Sequence, residues 1–187
     1  MTLTEVEIKE SIIDTYTKVA SNGRLVAERF YSAEELRGLP DSTVELALGV
    51  GNPVRHAPLR RGEVVLDLGS GAGIDTLQAA RWVGPAGKAI GLDMTPEMIR
   101  RARANAKEMG LANVEILEGS MEAMPIPDAS VDAIISNGVI NLTMRKSQVF
   151  REIPRVLKPG GRFCVADMPV NGELPEEVLN NPTAWTG

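Results

Sequence analysis

The stretch VVLDLGSGAGIDTLQAA, residues 64–80, constrains the fold of this chain more than any other segment. It opens with the apolar run Val64–Leu66, which is too short for a helix and rich in β-branched residues, as in a buried parallel strand. The loop Asp67–Gly73 follows, and its alternating glycines allow a tight turn and a close approach of the backbone to a ligand. A helical pattern then begins, and the free N–H groups of a helix N-terminus favour a negatively charged ligand group. This order predicts a nucleotide-type binding turn.

The surroundings of the glycine loop narrow this prediction. The loop spaces its glycines as GxGxG, whereas the dinucleotide fingerprint is GxGxxG. Asp67 lies just inside the end of the first strand, and the next apolar segment, Lys88–Asp93, ends in a second acid. Asp93 lies about 20 residues beyond the loop, where an acidic residue can accept hydrogen bonds from ribose hydroxyls. The alternative is that Asp67 and Asp93 only cap loops.

Composition excludes several classes of protein. A chain of 187 residues with 43% hydrophobic and 24% charged residues suits one globular domain with a substantial core. No apolar run approaches the roughly 18 residues that cross a membrane, and the N-terminal segment MTLTEVEIKES is unlike a secretory signal. The net charge of −5 argues against a nucleic-acid partner. We therefore expect a cytoplasmic protein whose partners include neither nucleic acid nor membrane.

Two residue types that often carry catalysis or bind metals occur once each. Cys164 is the only cysteine, which excludes an internal disulfide and a cysteine-based metal cage. His56 is the only histidine, and beside Pro58 in a predicted loop it is interpreted as a surface or capping residue. No GxSxG elbow is present, which argues against a Ser-His-Asp hydrolase. We therefore predict no metal site.

Residues 1–60 are predicted to form an N-terminal helical cap on the domain of residues 61–187. Apolar residues at near-helical spacing predict an amphipathic helix over Val6–Ala20, which Ser21-Asn22-Gly23 ends. Gly49–Pro53 is a predicted breaker before the domain. The other helical segments of the cap are expected at Leu25–Tyr31, from Ser32 onward and at Ser42–Leu48.

From residue 63 onward, predicted strands and helices alternate, which implies a parallel sheet with helices on both faces. Thr95 is the predicted N-cap of the second of these helices. The predicted strands are Val64–Leu68, Ala89–Asp93, Val114–Leu117, Val131–Ser136 and Arg162–Asp167; the helices are Ile74–Val83, Pro96–Met109, Lys146–Leu157 and Pro175–Leu179, with a turn at Lys158–Gly161.

Several loops should meet at one edge of this sheet. In such sheets ligands bind beyond the carboxyl ends of the strands, at the point where the strand order reverses. Asp67–Gly73, Asp93, Gly119–Met121 and Ser136–Gly138 all lie at those ends. Their convergence predicts a single binding crevice.

The successive motifs resemble those of the class I S-adenosylmethionine-dependent methyltransferases. VLDLGSGAG, IGLDMTPEMIRRAR, GSMEAMPIPDASVDAIIS and RVLKPGGRF match that family's motifs in order over residues 63–168. The resemblance implies a Rossmann-like fold, S-adenosyl-L-methionine as cofactor, and methyl transfer to a small-molecule acceptor. It also implies cofactor-binding residues: Asp67 near the amino group, Gly69, Ser70, Gly71 and Gly73 in the loop at the methionine end, Asp93 at the ribose, Met94, Ser120 and Met121 around the adenine, and Asn137 at the floor near the sulfonium.

One of these positions departs from the family, and two have a second interpretation. Many relatives have Asp where Ser120 stands, so the resemblance implies a single, weaker contact to the adenine amino group. Met94 and Met121 are also explained as core-filling residues.

Within that family the chain resembles the arsenite methyltransferases of the UbiE-like group. DMTPEMI, IISNGVINL, VFREIPRVLKPGGR and NNPTAWTG resemble their segments. Those enzymes bind trivalent arsenic through cysteine thiolates, a soft ligand set for a soft element. Here Val50 and Gly138 stand where cysteines are expected, and a further cysteine motif would follow Gly187. Cys164, inside the fifth strand, is interpreted as a core residue, and a single buried thiol does not make a multi-thiolate arsenic site.

The resemblance also bears on the sheet. The family's sheet has seven strands, so we expect a C-terminally short domain: a doubly wound, mostly parallel α/β sheet of about five strands in the order 3-2-1-4-5. The fifth strand would then form an exposed edge, which is a liability. We expect the N-terminal helices, the tail or the second subunit of a homodimer to cover it. The alternative is that the chain is a fragment of a longer enzyme.

In-line methyl transfer chiefly requires alignment of acceptor, methyl and sulfur, and a soft acceptor such as a thiol or a metalloid thiolate needs no strong base. We therefore assign no catalytic residue. Tyr16, Asn137 and Asn141 are candidate acceptor-facing residues, with core packing as the alternative for Tyr16. Two other functions stay open: a catalytically inactive S-adenosylmethionine-binding module, and a nicotinamide-dependent oxidoreductase, against which the GxGxG spacing argues.

Overall fold

The computed structural model describes residues 3–19, 23–169, 172 and 174–186. At its centre is a five-stranded parallel sheet with the order β3-β2-β1-β4-β5, which confirms the predicted fold class and strand order. The strands are β1 (Val64–Leu68), β2 (Lys88–Asp93), β3 (Val114–Glu118), β4 (Val131–Asn137) and β5 (Leu157–Ala166).

Pairing within the sheet aligns the strand ends that carry polar residues. β1 pairs with β2 on one side and β4 on the other, so that Leu68 lies beside Leu92 and Ser136. Leu66 and Ile134 are fully buried, as expected where helices cover both faces of a parallel sheet. The chain leaves all these strands at the same edge.

Nine α-helices accompany the sheet in the part of the chain that the structure describes. Two of the N-terminal helices begin with a capping box. Thr4 and Ser32 each accept a hydrogen bond from the N–H of the Glu three residues later, and the carboxylate of that Glu accepts from the N–H of the capping residue. The helices are α1 (Glu5–Lys18), α2 (Gly23–Phe30), α3 (Ala33–Leu36), α4 (Asp41–Glu45), α5 (Pro53–His56), α6 (Ile74–Val83), α7 (Pro96–Glu108), α8 (Lys146–Val156) and α9 (Glu176–Leu179), with 3-10 turns at Ile140–Leu142 and Pro182–Trp185.

Three local predictions were wrong. His56 lies not in a loop but at the end of α5, because Oδ1 of Asn52 caps that short helix by accepting from Arg55 N–H at 3.0 Å. The predicted turn Lys158–Gly161 lies within β5 as an irregularity, because Val131 pairs with Leu157 whereas Ala133 pairs with Arg162.

Gly23 is the third of these. It begins α2 instead of ending α1, and a Cβ there would lie 2.6 Å from the backbone N of Ala47, so this glycine permits close packing of α2 on the residues after α4. Ser21 and Asn22, predicted to end α1 with it, lie outside the described residues.

The N-terminal helices pack on the same side of the molecule as α6 and α7. Ala27, Tyr31 and Val44 share a core cluster with Ile74 and Leu77 of α6. The division of the chain at residue 60 stays a prediction.

The C-terminal turn packs on α1 and not along β5. Trp185 contacts the cluster of Ile8 and Ile12, and the Tyr16 hydroxyl donates to the Thr186 carbonyl at 3.2 Å. Among the described residues β5 pairs only with β4, and Val165 near its end is exposed. What covers this edge stays a prediction.

No helix in the described ranges has the length and apolar character needed to span a bilayer.

Candidate functional site

A cavity lies beyond the carboxyl ends of β1, β2 and β4, with about 1200 Å³ of empty space, part of it open to solvent. Residues of α1 and of the segment 43–49 close its other side. The cavity brings together nearly all the cofactor-binding residues predicted from the sequence: Asp67, Gly69, Ser70, Gly71, Asp93, Met94, Ser120, Met121 and Asn137. Gly73 does not line it; it is the N-cap of α6.

The glycine loop has the conformation that the sequence predicts. Gly69, Gly71 and Gly73 have φ values of 65°, 53° and 96°, in the region that favours glycine. A Cβ at Gly69 would also lie 2.7 Å from the side chain of Val139. Any side chain at these positions would therefore strain the turn, close the approach to the cavity, or both.

Asp93 holds the glycine loop against the start of α7. Its Oδ2 accepts from Gly71 N–H at 2.8 Å and its Oδ1 from Thr95 N–H at 2.8 Å. Burial raises the pKa of this carboxyl, although the two backbone donors oppose the rise. A carboxylate oxygen can accept more than one hydrogen bond, so Asp93 caps the loop and keeps acceptor capacity toward the cavity.

Asp67 and Asp75 form a buried acidic pair beneath the loop. Oδ2 of Asp67 accepts from the Thr76 hydroxyl at 2.6 Å. Burial, followed by the neighbouring Asp75 carboxylate, holds the pKa of Asp67 well above its ordinary value. Burial also raises the pKa of Asp75 to about 6, against the hydrogen bonds from Asn137 and Tyr31.

Asn137 is saturated by protein contacts. Its Oδ1 accepts from the N–H groups of Val50 at 2.8 Å and Gly51 at 3.1 Å. Its Nδ2 lies 2.9 Å from Oδ2 of Asp75, 2.9 Å from the Gly51 carbonyl and 3.1 Å from the Tyr31 hydroxyl. The amide therefore fixes the loop before α5 to the end of β4, and its polar atoms are occupied by protein groups.

Ser120 and Glu122 form a polar corner of the cavity. The hydroxyls of Ser120 and Thr143 both donate to the Glu122 carboxylate. Burial raises the pKa of Glu122, but the hydrogen bonds from Ser120 and Thr143, a backbone hydrogen bond and the charge of Lys9 together hold it below its ordinary value. Lys9 of α1 lies 3.7 Å from the same carboxylate. Because the Ser120 hydroxyl donates its hydrogen bond to Glu122, the lone pairs of Ser120 Oγ are left to act as acceptors.

The two methionines fit both of their interpretations. Met94 packs against Ile8 and Ile12 of α1, and Met121 packs against the main core, while both line the cavity. Each is therefore core-packed and available to contact a flat apolar ligand group.

Of the candidate acceptor-facing residues, Tyr16 and Asn137 line the cavity and Asn141 does not. Tyr16 lines the cavity, and burial, followed by the charge of Asp93, raises the pKa of its hydroxyl. Its ring also packs in the cluster of α1, so the core-packing alternative describes it equally. Asn141 is not part of the cavity lining: it lies in a 3-10 turn where its N–H donates to Oδ2 of Asp167 at 3.1 Å.

The cavity floor carries negative charge without a matching cation. Asp67, Asp75 and Asp93 are each less than 9% exposed. None of them takes part in an ion pair within the part of the chain that the structure describes. Buried carboxylates are costly unless they are protonated or paired, so the floor favours a ligand that brings positive charge.

Sequence reasoning missed several lining residues. Asp75 stands in the first turn of a helix, where an acid is expected merely to complement the helix dipole. Glu122 lies in a loop whose contacts come from distant elements. Thr43 belongs to a five-residue helix with no motif, and its complete burial can be seen only in the folded chain.

Val50 and Gly138 are neighbours in space. A Cβ at Gly138 would lie 3.6 Å from Cγ1 of Val50. Cys164 lies elsewhere, packed against the cluster of Val54 and Ile135. Of the two positions where cysteines are expected by resemblance, Gly138 lines the cavity and Val50 packs next to it.

Comparison with known proteins gives one consistent result. A family model described as a methyltransferase domain matches residues 59–187. An arsenite methyltransferase of Halobacterium salinarum is 45% identical over 157 residues, which cover 84% of this chain and 40% of that protein. The ubiquinone/menaquinone biosynthesis C-methyltransferase UbiE of Salmonella arizonae is 41% identical over 111 residues, which cover 58% of this chain and 44% of that protein. The chain spans less than half the length of these curated relatives.

A solved structure agrees. The arsenic(III) S-adenosylmethionine methyltransferase CrArsM from Chlamydomonas reinhardtii matches 88% of this chain and 55% of its own, with 33% sequence identity and a TM-score of 0.71. Because 88% of the chain is more than residues 61–187 contain, the shared fold includes part of the N-terminal helical region as well as the sheet.

Proposed function

The chain belongs to the class I S-adenosylmethionine-dependent methyltransferases, and on that basis we propose that it binds S-adenosylmethionine in the cavity and transfers its methyl group to a small-molecule acceptor. The observation that carries this proposal is the acidic floor of Asp67, Asp75 and Asp93. S-adenosylmethionine brings a sulfonium and an ammonium group, which complement that charge. A nicotinamide dinucleotide would bring a negatively charged pyrophosphate, which the carboxylates of the floor would repel.

The residues of the cavity fit the parts of this cofactor. The backbone of Gly69 and Gly71, which carries no Cβ, admits a close ligand, with Asp67 as the partner of an ammonium group. Asp93 retains acceptor capacity for ribose hydroxyls. Ser120 offers lone pairs to an adenine amino group between the apolar surfaces of Met94 and Met121.

When bound, the cofactor supplies an activated methyl group on a positively charged sulfur. The chain's own contribution is alignment and charge complementarity. Asn137 holds the loop of Val50 and Gly51 rigidly beside the cavity, and α1 covers the cavity with Ile8 and Ile12. A rigid, largely apolar enclosure favours reaction because the reacting groups lose little further freedom.

We propose a soft acceptor, of the thiol or arsenite type. A soft nucleophile needs no strong general base, so its methylation requires chiefly alignment with the cofactor's methyl group. Neither Val50 nor Gly138 offers a thiolate, so trivalent arsenic would arrive already bound to small thiols.

The experiment that tests this function is calorimetric titration with S-adenosylmethionine and S-adenosylhomocysteine, followed by a transfer assay. We expect saturable binding of both, and formation of S-adenosylhomocysteine when arsenite with excess small thiol, or a thiol alone, is added. Absence of cofactor binding by a folded sample would refute the proposal. NADH fluorescence should not change on addition of the protein.

A second candidate is a non-catalytic S-adenosylmethionine-binding module. The observation that favours it is the replacement of both expected cysteines by Val50 and Gly138. Saturable cofactor binding without product on any thiol or arsenite acceptor would support this alternative.

A further inference from the structure

Thr43 is a buried polar residue to which the proposed function assigns no contact with the cofactor or the acceptor. It lies in α4, its relative exposure is 0%, and it lines the cavity. Its Oγ1 has no hydrogen-bond partner among the residues that the structure describes. A buried hydroxyl without a partner is costly, and valine has nearly the same shape without that cost. The hydroxyl is therefore expected to find its partner in the ligand.

Contacts on either side of Thr43 place it beside the glycine loop. The preceding Ser42 donates to Oδ1 of Asn105 at 2.5 Å, and Nδ2 of Asn105 donates to the Ala72 carbonyl at 3.0 Å. Three residues further along, Leu46 packs in a cluster with Ala72 and Met98. The helix that carries Thr43 is thus held against the loop that leads into α6.

The neighbouring helix terminus determines which ligand group suits this hydroxyl. α6 is ten residues long, and its N-cap, Gly73, has no side chain to cap the first turn. Of the N–H groups of that turn, Thr76 N–H is bonded to the Asp67 carboxylate. Unpaired N–H groups and the helix dipole favour an anion, and a hydroxyl donor adds to that preference. Asp67, which is bonded to Thr76 in the first turn of α6, lines the cavity and suits the ammonium group of the same amino-acid moiety.

We propose that the Thr43 hydroxyl donates a hydrogen bond to the carboxylate of the methionyl part of S-adenosylmethionine, an inference that rests on the proposed cofactor. Thr43 is then a ligand-contacting residue supplied by the N-terminal helices. It makes recognition of the amino-acid end depend on correct docking of α4.

The test compares Thr43→Val with Thr43→Ser in the full chain by calorimetry. S-adenosylhomocysteine is the probe, and 5′-methylthioadenosine, which lacks the amino-acid end, is the matched ligand control. Thr43→Val should bind S-adenosylhomocysteine about tenfold more weakly, because it loses a hydrogen bond to a charged group. It should bind 5′-methylthioadenosine as the wild type does, and Thr43→Ser should restore binding.

Thermal unfolding of the unliganded variants controls for misfolding. Thr43→Val should unfold at or above the wild-type temperature, because it removes an unpartnered hydroxyl. If the wild type binds S-adenosylhomocysteine and Thr43→Val binds it equally well, the role of Thr43 is overturned while the proposed function stands. Equal weakening for 5′-methylthioadenosine would also overturn it. If the wild type binds neither probe, the proposed function fails and the role of Thr43 fails with it.

Discussion

Nδ2 of Asn137, at the end of β4, donates a hydrogen bond to Oδ2 of Asp75, in the first turn of α6, at 2.9 Å. The same amide group accepts from two backbone N–H groups of the loop before α5. One side chain therefore ties together three segments that surround the cavity. Asn137 also lines the cavity, and its role toward the ligand stays a prediction.

Replacement of Asn137 by alanine should lower the free energy of unfolding by about 2–4 kcal/mol, because buried donors of Val50 and Gly51 lose their acceptor. Urea denaturation followed by circular dichroism measures this change. Asn141→Ala is the matched control, since Oδ1 of Asn141 has no partner among the described residues, and its effect should stay below about 1 kcal/mol. Equal losses in the two variants would contradict the assignment.

The buried Asp75 should make stability depend on pH. Its pKa of about 6 in the folded protein exceeds the value near 4 expected in the unfolded chain. The folded state holds this proton more tightly, so the stabilisation is complete below about pH 4 and is lost as the pH rises through about 6. Relative to Asp75→Asn, the wild type should lose about 2–3 kcal/mol of unfolding free energy between pH 4 and pH 7.5. Urea titrations across that range measure the difference, and a difference independent of pH would contradict it.

The sheet was predictable because its determinants are local. β1 and α6 begin and end as predicted, since an apolar run, a glycine loop and Gly84 mark their limits. The short helix α5 was missed because it has only four residues and no hydrophobic periodicity, and its contacts include a long-range ion pair of Arg55 with Glu35. The bulge in β5 was missed because glycines and proline in Lys158–Gly161 look like a chain turn, whereas pairing with β4 continues past them.

The candidate site was predictable only in part. Motif residues at strand ends come together because the topology brings them together, and that follows from the sequence. The partners of Asn137 do not follow from it, since Val50 and Tyr31 lie 87 and 106 residues earlier in the chain. Long-range side-chain bonds of this kind leave no periodic pattern in the sequence.

Asp93→Asn should weaken binding of S-adenosylmethionine by about tenfold or more, because the amide loses the negative charge and one acceptor that favour ribose hydroxyls and a cationic ligand. Glu97→Gln is the matched control: Glu97 lies four residues further along and pairs with Arg100 and Arg101 at the surface. That variant should bind within about twofold of the wild type. Calorimetric titration of both variants measures these affinities. Unchanged binding in Asp93→Asn would show that Asp93 does not contact the cofactor.

The double variant Val50→Cys/Gly138→Cys should gain affinity for trivalent arsenic. A side chain at position 138 would lie 3.6 Å from that of position 50, so two thiolates there come within reach of one arsenic atom. Gly138 has a φ of 73°, and a cysteine there should cost about 1–2 kcal/mol of stability. Calorimetry with arsenite on the reduced protein should give saturable binding for the double variant and none for either single variant. Binding by the double variant no stronger than by the single ones would show that the two positions do not act as one ligand pair.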